Sequence, residues 1–344
     1  MSDLAFAHGG PPLRGLLRVI PEDFEVDEVL GFEPDGTGEH SFLRIEKRNA
    51  NTEWVAQQLA RFAGVAPMCV GYSGLKDRHA LTRQTFSVQL PGRTDPDWSA
   101  MAIEGVRVPG AGGHARRLNG GAHADFRFRI RLREIEGSHD DAEQRIGQVV
   151  TRGVPNYFGE QRFGRNGENL RAARALFAGK RLGRSERGFA LSAARSHLFN
   201  RVLDRRVVDR CWDQALEGEV WMLAGTHSIF GPQELDDALR QRLAAFDIDP
   251  TGPLWGRGEL RSSGQVAIIE QEVAASEADF ASGLGAADLR QERRSLRLRA
   301  AEFGHAWRAD GSLHLEFLLS SGTFATTLIR EICAVHSGEA AGPG

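Results

Sequence analysis

The segment that most restricts the fold is residues 126–133, which read FRFRIRLR. Apolar and basic side chains alternate along it, and a period of two residues indicates a β-strand with two unlike faces. Phe126, Phe128, Ile130 and Leu132 would line one face, and four arginines would line the other. One face would then meet a hydrophobic core or a stacked aromatic ring, and the other would meet water or phosphate.

The order of patterns along the chain predicts the architecture. Strand patterns dominate before residue 152, helical spacing dominates 152–240 and part of 249–298, and a strand pattern returns at 312–319. The chain has 344 residues, more than one core usually supports. We therefore predict a helical insertion into a mixed α/β domain whose two sequence halves close one sheet. An inserted, largely helical α/β domain would span 152–298.

One helix is predicted with both of its ends. Residues 51–64, NTEWVAQQLARFAG, start with two residues that suit an N-cap, Asn51 and Thr52. Val55, Leu59 and Phe62 share one face of this helix, and Gly64 would end it.

Composition narrows the class of protein. Hydrophobic residues make up 41% and charged residues 26%, as in ordinary globular chains, and no apolar run is long enough to cross a membrane. The acidic start argues against a secretory signal, so we expect a cytoplasmic protein with no membrane partner. The three cysteines lie far apart and predict neither disulfides nor a zinc site.

Metal and nucleotide sites are not predicted either. The spacing of the histidines matches no metal motif, even for the most suggestive set, His40, His79 and His197. The glycine-rich PGAGG at 109–113 lacks the Lys-Ser/Thr ending of a phosphate-binding loop, so no nucleotide cofactor is expected.

Charge is segregated along the chain although the formal net charge is only −3. Residues 22–39 carry eight acids and no base, while 162–187 carry eight bases and two acids, a local balance of 8 − 2 = +6. A second basic run, RQERRSLRLR at 290–299, has five arginines and one acid. These runs are either solvated helix faces or contacts to the phosphates of a polyanion.

A tight turn concentrates four chargeable side chains. Residues 71–84, GYSGLKDRHALTRQ, place Lys76, Asp77, Arg78 and His79 after the predicted helix and directly before a strand pattern. A carboxylate in such a turn often only closes an Asx-turn. Loops on a rigid scaffold also carry function, and a basic partner from elsewhere in the chain would keep Asp77 ionised in a partly buried cleft.

Four segments of the chain form a recognisable set. They are GLKDRHALTRQ at 74–84, VPNYFGEQRFG at 154–164, LSAARSHLFN at 191–200 and SGTFATTLIREI at 321–332. In this order they resemble the TruD family of tRNA pseudouridine synthases, and PEDFEVDEVLGFEPDGTGEH at 21–40 is similar to the start of that family. The resemblance covers roughly 15–335, and four motifs in register are far more specific than one.

The resemblance implies a site, residue by residue. Asp77 would be the catalytic aspartate, Phe128 the aromatic residue that stacks on the target base, and Arg330 the basic partner of Asp77. Should Arg330 point elsewhere, the partner would be sought among Lys76, Arg78 and Arg18. The family usually has Asn two residues before the aromatic, where this chain has Phe126, so His123 or Asp125 replaces it, its role is dispensable, or the register is shifted.

The remaining implications concern substrate and reaction. Lys76, Asn156 and Arg162 are expected to bind substrate, although the aromatic residues near Arg162 also suit a packed domain hinge. The resemblance implies an α+β fold of the pseudouridine synthase type, with a mixed, mainly antiparallel sheet formed by 1–151 and 299–344. The protein would act as a monomer, without a cofactor, on uridine 13 in the D-arm of tRNA. Asp77 would attack C1′ or remove the 2′ proton. The rival hypothesis is a non-catalytic tRNA-binding or RNA chaperone protein.

Overall fold

The structure, a computed structural model, describes residues 4–32, 38–114, 118 and 124–337. In this part of the chain the strands are β1 (Leu13–Leu17), β2 (Phe24–Leu30), β3 (His40–Arg48), β4 (Val70–Tyr72), β5 (Leu81–Gln89), β6 (Val106–His114), β7 (Ala124–Gly137), β8 (Val154–Pro155), β9 (Trp221–Leu223), β10 (Ile229–Phe230), β11 (Ile248–Leu254), β12 (Glu292–Ser295), β13 (Arg297–Leu298), β14 (Ala301–Trp307), β15 (Leu313–Ser320) and β16 (Cys333–Ser337). The α-helices of the same ranges are α1 (Thr52–Ala63), α2 (His139–Arg152), α3 (Glu168–Phe177), α4 (Arg184–Val208), α5 (Asp237–Ala244), α6 (Gly264–Ser276), α7 (Ala278–Ala286) and α8 (Ala325–Ile332).

The chain divides into two compact units. The sheet unit comprises Leu13–Ser138, Ala300–Gly322 and Cys333–Gly344, and the helical unit comprises Met1–Pro12, His139–Arg299 and Thr323–Ile332. These units share the boundary near residue 299 with the predicted domain ranges, 1–151 with 299–344 and 152–298. They differ elsewhere, because the helical unit also includes α2, α8 and the first twelve residues.

Contacts of one arginine show why α2 belongs to the helical unit. Arg145 of α2 donates hydrogen bonds from Nη1 to the carbonyl oxygens of Gly9, Gly10 and Glu331, at 2.9, 3.0 and 2.7 Å. These bonds join three segments that are far apart in sequence. No local pattern reports such a contact, so a boundary drawn from periodicity alone missed it.

The sheet unit is built on a ten-stranded sheet. Its main path runs β14-β15-β7-β2-β5-β3-β6, while β1 pairs with β16 and β7, and β4 pairs with β5. Only β2–β5 and β1–β16 are parallel among the described pairs, so the sheet is mixed and mainly antiparallel, as predicted. Strands from both ends of the chain pair at β7, which confirms that they close one sheet.

β7 confirms the strand predicted from FRFRIRLR. Phe128, Ile130 and Leu132 are buried on the inner face, and Phe128 lies opposite Val26 of β2 and Phe317 of β15. The four arginines on the other face pair with acids of the same unit: Arg127 with Glu302 and Glu316, Arg129 with Asp27, Arg131 with Asp310, and Arg133 with Asp23. This face is therefore covered by internal ion pairs.

The helical unit is organised around α4, the longest helix in the described ranges. Its buried Ala190, Ala194 and Leu198 pack with Phe280 and Leu284 of α7. Small side chains let the neighbouring helices approach closely along this face. A four-stranded sheet, in the order β10-β9-β11-β12, and the β8–β13 pair complete the unit.

Candidate active site

The predicted catalytic turn joins β4 to β5 in the sheet unit. Asp77 accepts a hydrogen bond on Oδ1 from the backbone N–H of His79, at 3.1 Å, which closes an Asx-turn. Gly74 has φ +71°, a conformation that favours glycine, where the chain enters the turn. The Asx-turn uses only one carboxylate oxygen, so Oδ2 remains available for a second partner.

That partner is Arg18. Its Nη2 lies 2.7 Å from Oδ2 of Asp77, and the two side chains are 18% and 19% exposed. Its guanidinium also lies 4.1 Å from the centre of the Phe24 ring. In the structure, Asp77 therefore pairs with Arg18. The sequence analysis named Arg330 as the first candidate for this partner and Arg18 as one of the alternatives.

Three buried side chains fix the backbone of the turn from the sheet and from α1. Lys47 Nζ donates to the carbonyl oxygens of Asp77 and Ala50, both at 2.9 Å. Gln84 Nε2 donates to the carbonyls of residues 73 and 74, both at 2.9 Å. The hydroxyl of Thr52, in the first turn of α1, accepts from the N–H of residue 76 at 3.1 Å. The carboxylate of Asp77 is therefore held on a rigid backbone.

Lys76 is a desolvated cation beside this carboxylate. Its Nζ donates to the carbonyl of Ser73 at 2.8 Å and lies 4.0 Å from the centre of the Phe126 ring. Burial lowers the pKa of Lys76 to about 8, against the attraction of the Glu28 carboxylate. Phe126 stands where the family usually has Asn, so this chain places a cation–π contact at that position.

Two other ionisable groups are buried near the turn. Burial lowers the pKa of Lys47 to about 8, which the charge of Asp77 opposes. Burial raises the pKa of Glu28, although its Oε2 accepts the N–H of Thr85 at 2.6 Å. A low-polarity surrounding strengthens every charge interaction at this end of the sheet.

Phe128 is connected to Asp77 through two side chains. Its ring packs edge-on against Phe24 with centroids 6.0 Å apart and stacks on Phe317 with centroids 5.6 Å apart. Phe24 in turn contacts the guanidinium of Arg18. Asp77 and Phe128 are thus linked through Arg18 and Phe24, and stacking of Phe128 on a target base stays a prediction. Of the two candidates for the missing Asn, Asp125 is an exposed residue of β7, and His123 lies outside the described residues.

Arg330 lies in the helical unit and contacts that unit's first residues. Its Nη2 and Nη1 donate to the carbonyl oxygens of Leu4 and Ala5, at 2.6 and 3.3 Å. Its guanidinium lies over the rings of Phe6 and Tyr157, at 4.1 and 5.5 Å. Burial lowers the pKa of Arg330. These contacts hold the first residues of the chain, and a catalytic role for Arg330 stays a prediction.

Asn156 is a buried residue with both ends of its amide occupied. Its Oδ1 accepts from Nη2 of Arg294 at 2.6 Å, and its Nδ2 donates to the carbonyl of Ser295 at 2.9 Å. Within the helical unit these bonds join β8 to β12. Binding of substrate by Asn156 stays a prediction that these contacts do not support.

Arg162 lines an open groove on the helical unit. The groove has a volume of about 600 Å³ and is also lined by Arg184, Phe189 and Ser192. Arg162 donates to the Ser192 hydroxyl at 3.0 Å, and burial lowers its pKa. Phe189 is 58% exposed. Cations beside an exposed aromatic ring suit the phosphates and bases of a nucleic acid.

The chain matches one family over most of its length. The profile of the family described as tRNA pseudouridine synthase D (TruD) matches residues 3–182 and 176–332. The chain belongs to the TruD family.

Relatives of TruD support this assignment. The chain is 47% identical to a tRNA pseudouridine synthase D of Xanthomonas axonopodis pv. citri, over 95% of this chain and 93% of that protein. It is 48% identical to one of Methylococcus capsulatus, over 96% and 94%. The fold matches a crystal structure from Methanosarcina mazei described as TruD, with a TM-score of 0.71 and 21% identity over 95% of both chains. This likeness confirms the predicted fold class.

Sequence reasoning missed most of the groups that support Asp77. Lys47 of β3 and Gln84 of β5 hold the backbone of the turn, and Glu28 of β2 is buried near it. Each occupies an inward position of its strand, where the alternation predicts an apolar residue. Polar residues at inward-facing strand positions could therefore have indicated this site from the sequence.

The described residues contain no group of three His, Cys, Asp or Glu side chains that could hold a metal ion. None of the described helices is long and apolar enough to cross a membrane.

Proposed function

We propose that this TruD-family protein is a tRNA pseudouridine synthase that isomerises uridine 13 in the D-arm of tRNA. The observation that carries the proposal is the ion pair of Asp77 and Arg18 on a braced turn, connected through Phe24 to Phe128. The choice of uridine 13 follows from the family resemblance. We further propose that the protein is a cytoplasmic monomer. It should need no cofactor, since the isomerisation involves no net redox change.

The reaction requires a carboxylate in its charged form. The N1–C1′ bond breaks, the uracil turns, and C5 bonds to C1′; C5 then loses its proton and N1 gains one. Asp77 would serve either by adding to C1′ or by taking the 2′ proton to give a glycal. Both routes need an unprotonated carboxylate, and Nη2 of Arg18 lies 2.7 Å from its Oδ2.

The target base must leave its stack before Asp77 reaches C1′. Lys76 lies in the same turn as Asp77 and would hold the position of the base. Phe128 is only 9% exposed, packed between Phe24 and Phe317, so its contact with the base stays a prediction. Arg162 would contact RNA from the helical unit. Asn156 and Arg330 are bonded to backbone and side chains of their own unit, so we assign them to its structure ahead of the chemistry.

The rival function is binding of tRNA without catalysis. Binding alone does not require a carboxylate that is paired with an arginine and carried on a turn that three buried side chains hold in place. The ion pair therefore favours the enzyme.

The first experiment uses tRNA labelled with tritium at C5 of uridine. Isomerisation releases the label because C5 becomes bonded to C1′, whereas a binding protein would release none. Asp77→Asn should abolish release while tRNA affinity and folding stay nearly unchanged, because the amide keeps the Asx-turn but cannot act as nucleophile or base. Retention of more than a small fraction of the rate would contradict the assignment.

A matched control is available in the sheet unit. Asp97 also closes an Asx-turn, accepting the N–H of Ser99 at 3.0 Å, and it makes no ion pair with any described residue. Asp97→Asn should therefore retain full tritium release. Equal losses in the two variants would show that the turn, and not the carboxylate, matters.

A further inference from the structure

The turn that carries Asp77 also presents an apolar side chain to solvent. Leu75 is 61% exposed, two residues before Asp77. Single exposed leucines are common on protein surfaces and need no explanation alone. The residues around Leu75 indicate a functional reason for its exposure.

The backbone on both sides of Leu75 is fixed. The carbonyl of Gly74 accepts from Gln84, and the N–H of Lys76 donates to Thr52. The carbonyl of Asp77 accepts from Lys47. A mobile loop could fold such a side chain back onto the protein and remove it from water, but these bonds prevent that. The turn therefore holds an apolar group outward in a defined place.

The position of Leu75 matches the geometry of a base stack. Two residues span at most about 7 Å, so the Cα of Leu75 lies within that distance of the Cα of Asp77. Successive bases along one strand are about 3.4 Å apart. A nucleotide whose C1′ meets Asp77 thus places its neighbours in the stack within reach of Leu75.

The charges beside Leu75 favour a nucleic acid as its partner. Arg78 and His79 of the same turn are exposed, and Arg78 has no acidic partner among the residues that the structure describes. An apolar tip beside cations complements a base stack bordered by phosphates.

We propose that Leu75 enters the RNA stack and fills the gap that the extruded uridine leaves. Apolar side chains act as such wedges where proteins separate neighbouring bases. This inference rests on the proposed function, because only an enzyme that extrudes its base needs the wedge. Leu75 acts on the position of the base and takes no part in bond breaking.

The test compares Leu75→Ala with wild type on two RNAs of equal sequence around the target uridine. In one RNA the uridine is stacked within a duplex end, and in the other it lies in a single-stranded loop. The variant should lose about tenfold or more in kcat/KM on the stacked uridine and less than about twofold on the unstacked one. Leu75→Met should restore the rate, because it keeps the apolar volume.

Extrusion is also measured without chemistry. In the Asp77→Asn background, 2-aminopurine beside the target uridine should brighten on binding, and the further change Leu75→Ala should abolish most of that increase. Val208, in the helical unit, is 63% exposed and gives a control of equal exposure, so Val208→Ala should change neither readout.

The outcomes separate the two proposals. No tritium release from either RNA with wild-type protein would overturn the proposed function. Release by wild type, together with equal rates of Leu75→Ala on the stacked uridine, would overturn the wedge alone. An equal loss on both RNAs would also overturn it, since a wedge has no effect on a base that is already unstacked.

Discussion

Arg18 holds Asp77 from a backbone conformation that few non-glycine residues adopt. Its φ is +62°, just after the end of β1. A left-handed conformation of this kind costs on the order of 1 kcal/mol or more and persists only where the surroundings impose it. The ion pair with Asp77 and the contact with the Phe24 ring supply that constraint. The conformation aims the guanidinium at the turn.

Replacing Arg18 should therefore remove most activity. We expect Arg18→Met to lower kcat about 100-fold, the scale found when one catalytic electrostatic contact is removed. Arg18→Lys should retain more activity, because it keeps the charge. Single-turnover tritium release measures both, and tRNA affinity should change little.

The matched comparison is Arg330→Met. We expect it to lower the stability of the helical unit, through the lost bonds to Leu4 and Ala5, more than it lowers the rate per folded molecule. The opposite pattern, an active Arg18→Met and an inactive but folded Arg330→Met, would return the partnership with Asp77 to the residue first predicted.

The sequence predicted some residues of the candidate site better than others. The turn that holds Asp77 was predicted because its motif is local, where sequence neighbours are neighbours in space, and the catalytic role of Asp77 stays a prediction. Arg18 was only one of several candidates, since its approach to Asp77 depends on the pairing of β2 with β5 and of β1 with β7. Strand order and register across such distances are not contained in local periodicity.

Among the elements, α1 was predicted most completely. Asn51 caps it by accepting from the N–H of Glu53 at 2.8 Å, and Gly64 ends it with φ +62°. Caps are local chemistry, so sequence reveals them. The mixed sheet was predicted, but the polar residues at its inward-facing positions were not. Those positions bring buried charge into strands β2 and β3, and this has a measurable consequence for stability.

Lys47 should make the protein more stable as pH rises above about 8. Burial lowers its pKa from 10.5 to about 8, so between these values the unfolded chain binds a proton that the folded chain lacks. Stability therefore rises with pH across this window. Lys47→Met should remove part of that rise, on the order of 2 kcal/mol between pH 8 and 10.5.

Urea unfolding at several pH values measures this rise. Lys180→Met serves as the control, because Lys180 is exposed and should leave the pH dependence unchanged. A Lys47→Met protein whose stability still rises as steeply as that of wild type would show that Lys47 keeps its proton in the fold. The comparison uses differences in slope, so any general loss of stability in the variant does not affect it.

Over the whole molecule, the segregated charges have two different fates. Acids of the run at 22–39 pair within the sheet unit, as Glu25 and Asp27 do with Arg83. The basic run at 290–299 is also largely internal: Arg293 pairs with Glu270 and Arg297 with Asp249, and both arginines are 4% exposed. Neither alternative for this run, a solvated face or phosphate contacts, holds for Arg293 and Arg297, because β12 and β13 bury them.

The run at 162–187 differs, since most of its bases face solvent. Those that are exposed without an acidic partner in the described ranges are Arg165, Arg171, Lys180, Arg181, Arg184 and Arg187. A count of charges along the sequence does not distinguish the two basic runs, because it does not show which arginines pair with buried acids. The exposed set is the surface on which the helical unit would meet the phosphates of tRNA.

Salt dependence of tRNA binding tests this surface. Each phosphate contact releases counterions, so Arg181→Ala and Arg184→Ala should each reduce the slope of log K against log salt by about 0.7 to 1. Arg205→Ala is the control, because Arg205 is exposed in the same unit but paired with Asp209 and Glu272. Its slope should equal that of wild type. If all three variants changed the slope equally, overall charge would explain the binding, and a wild-type slope near zero would make 162–187 a solvated face.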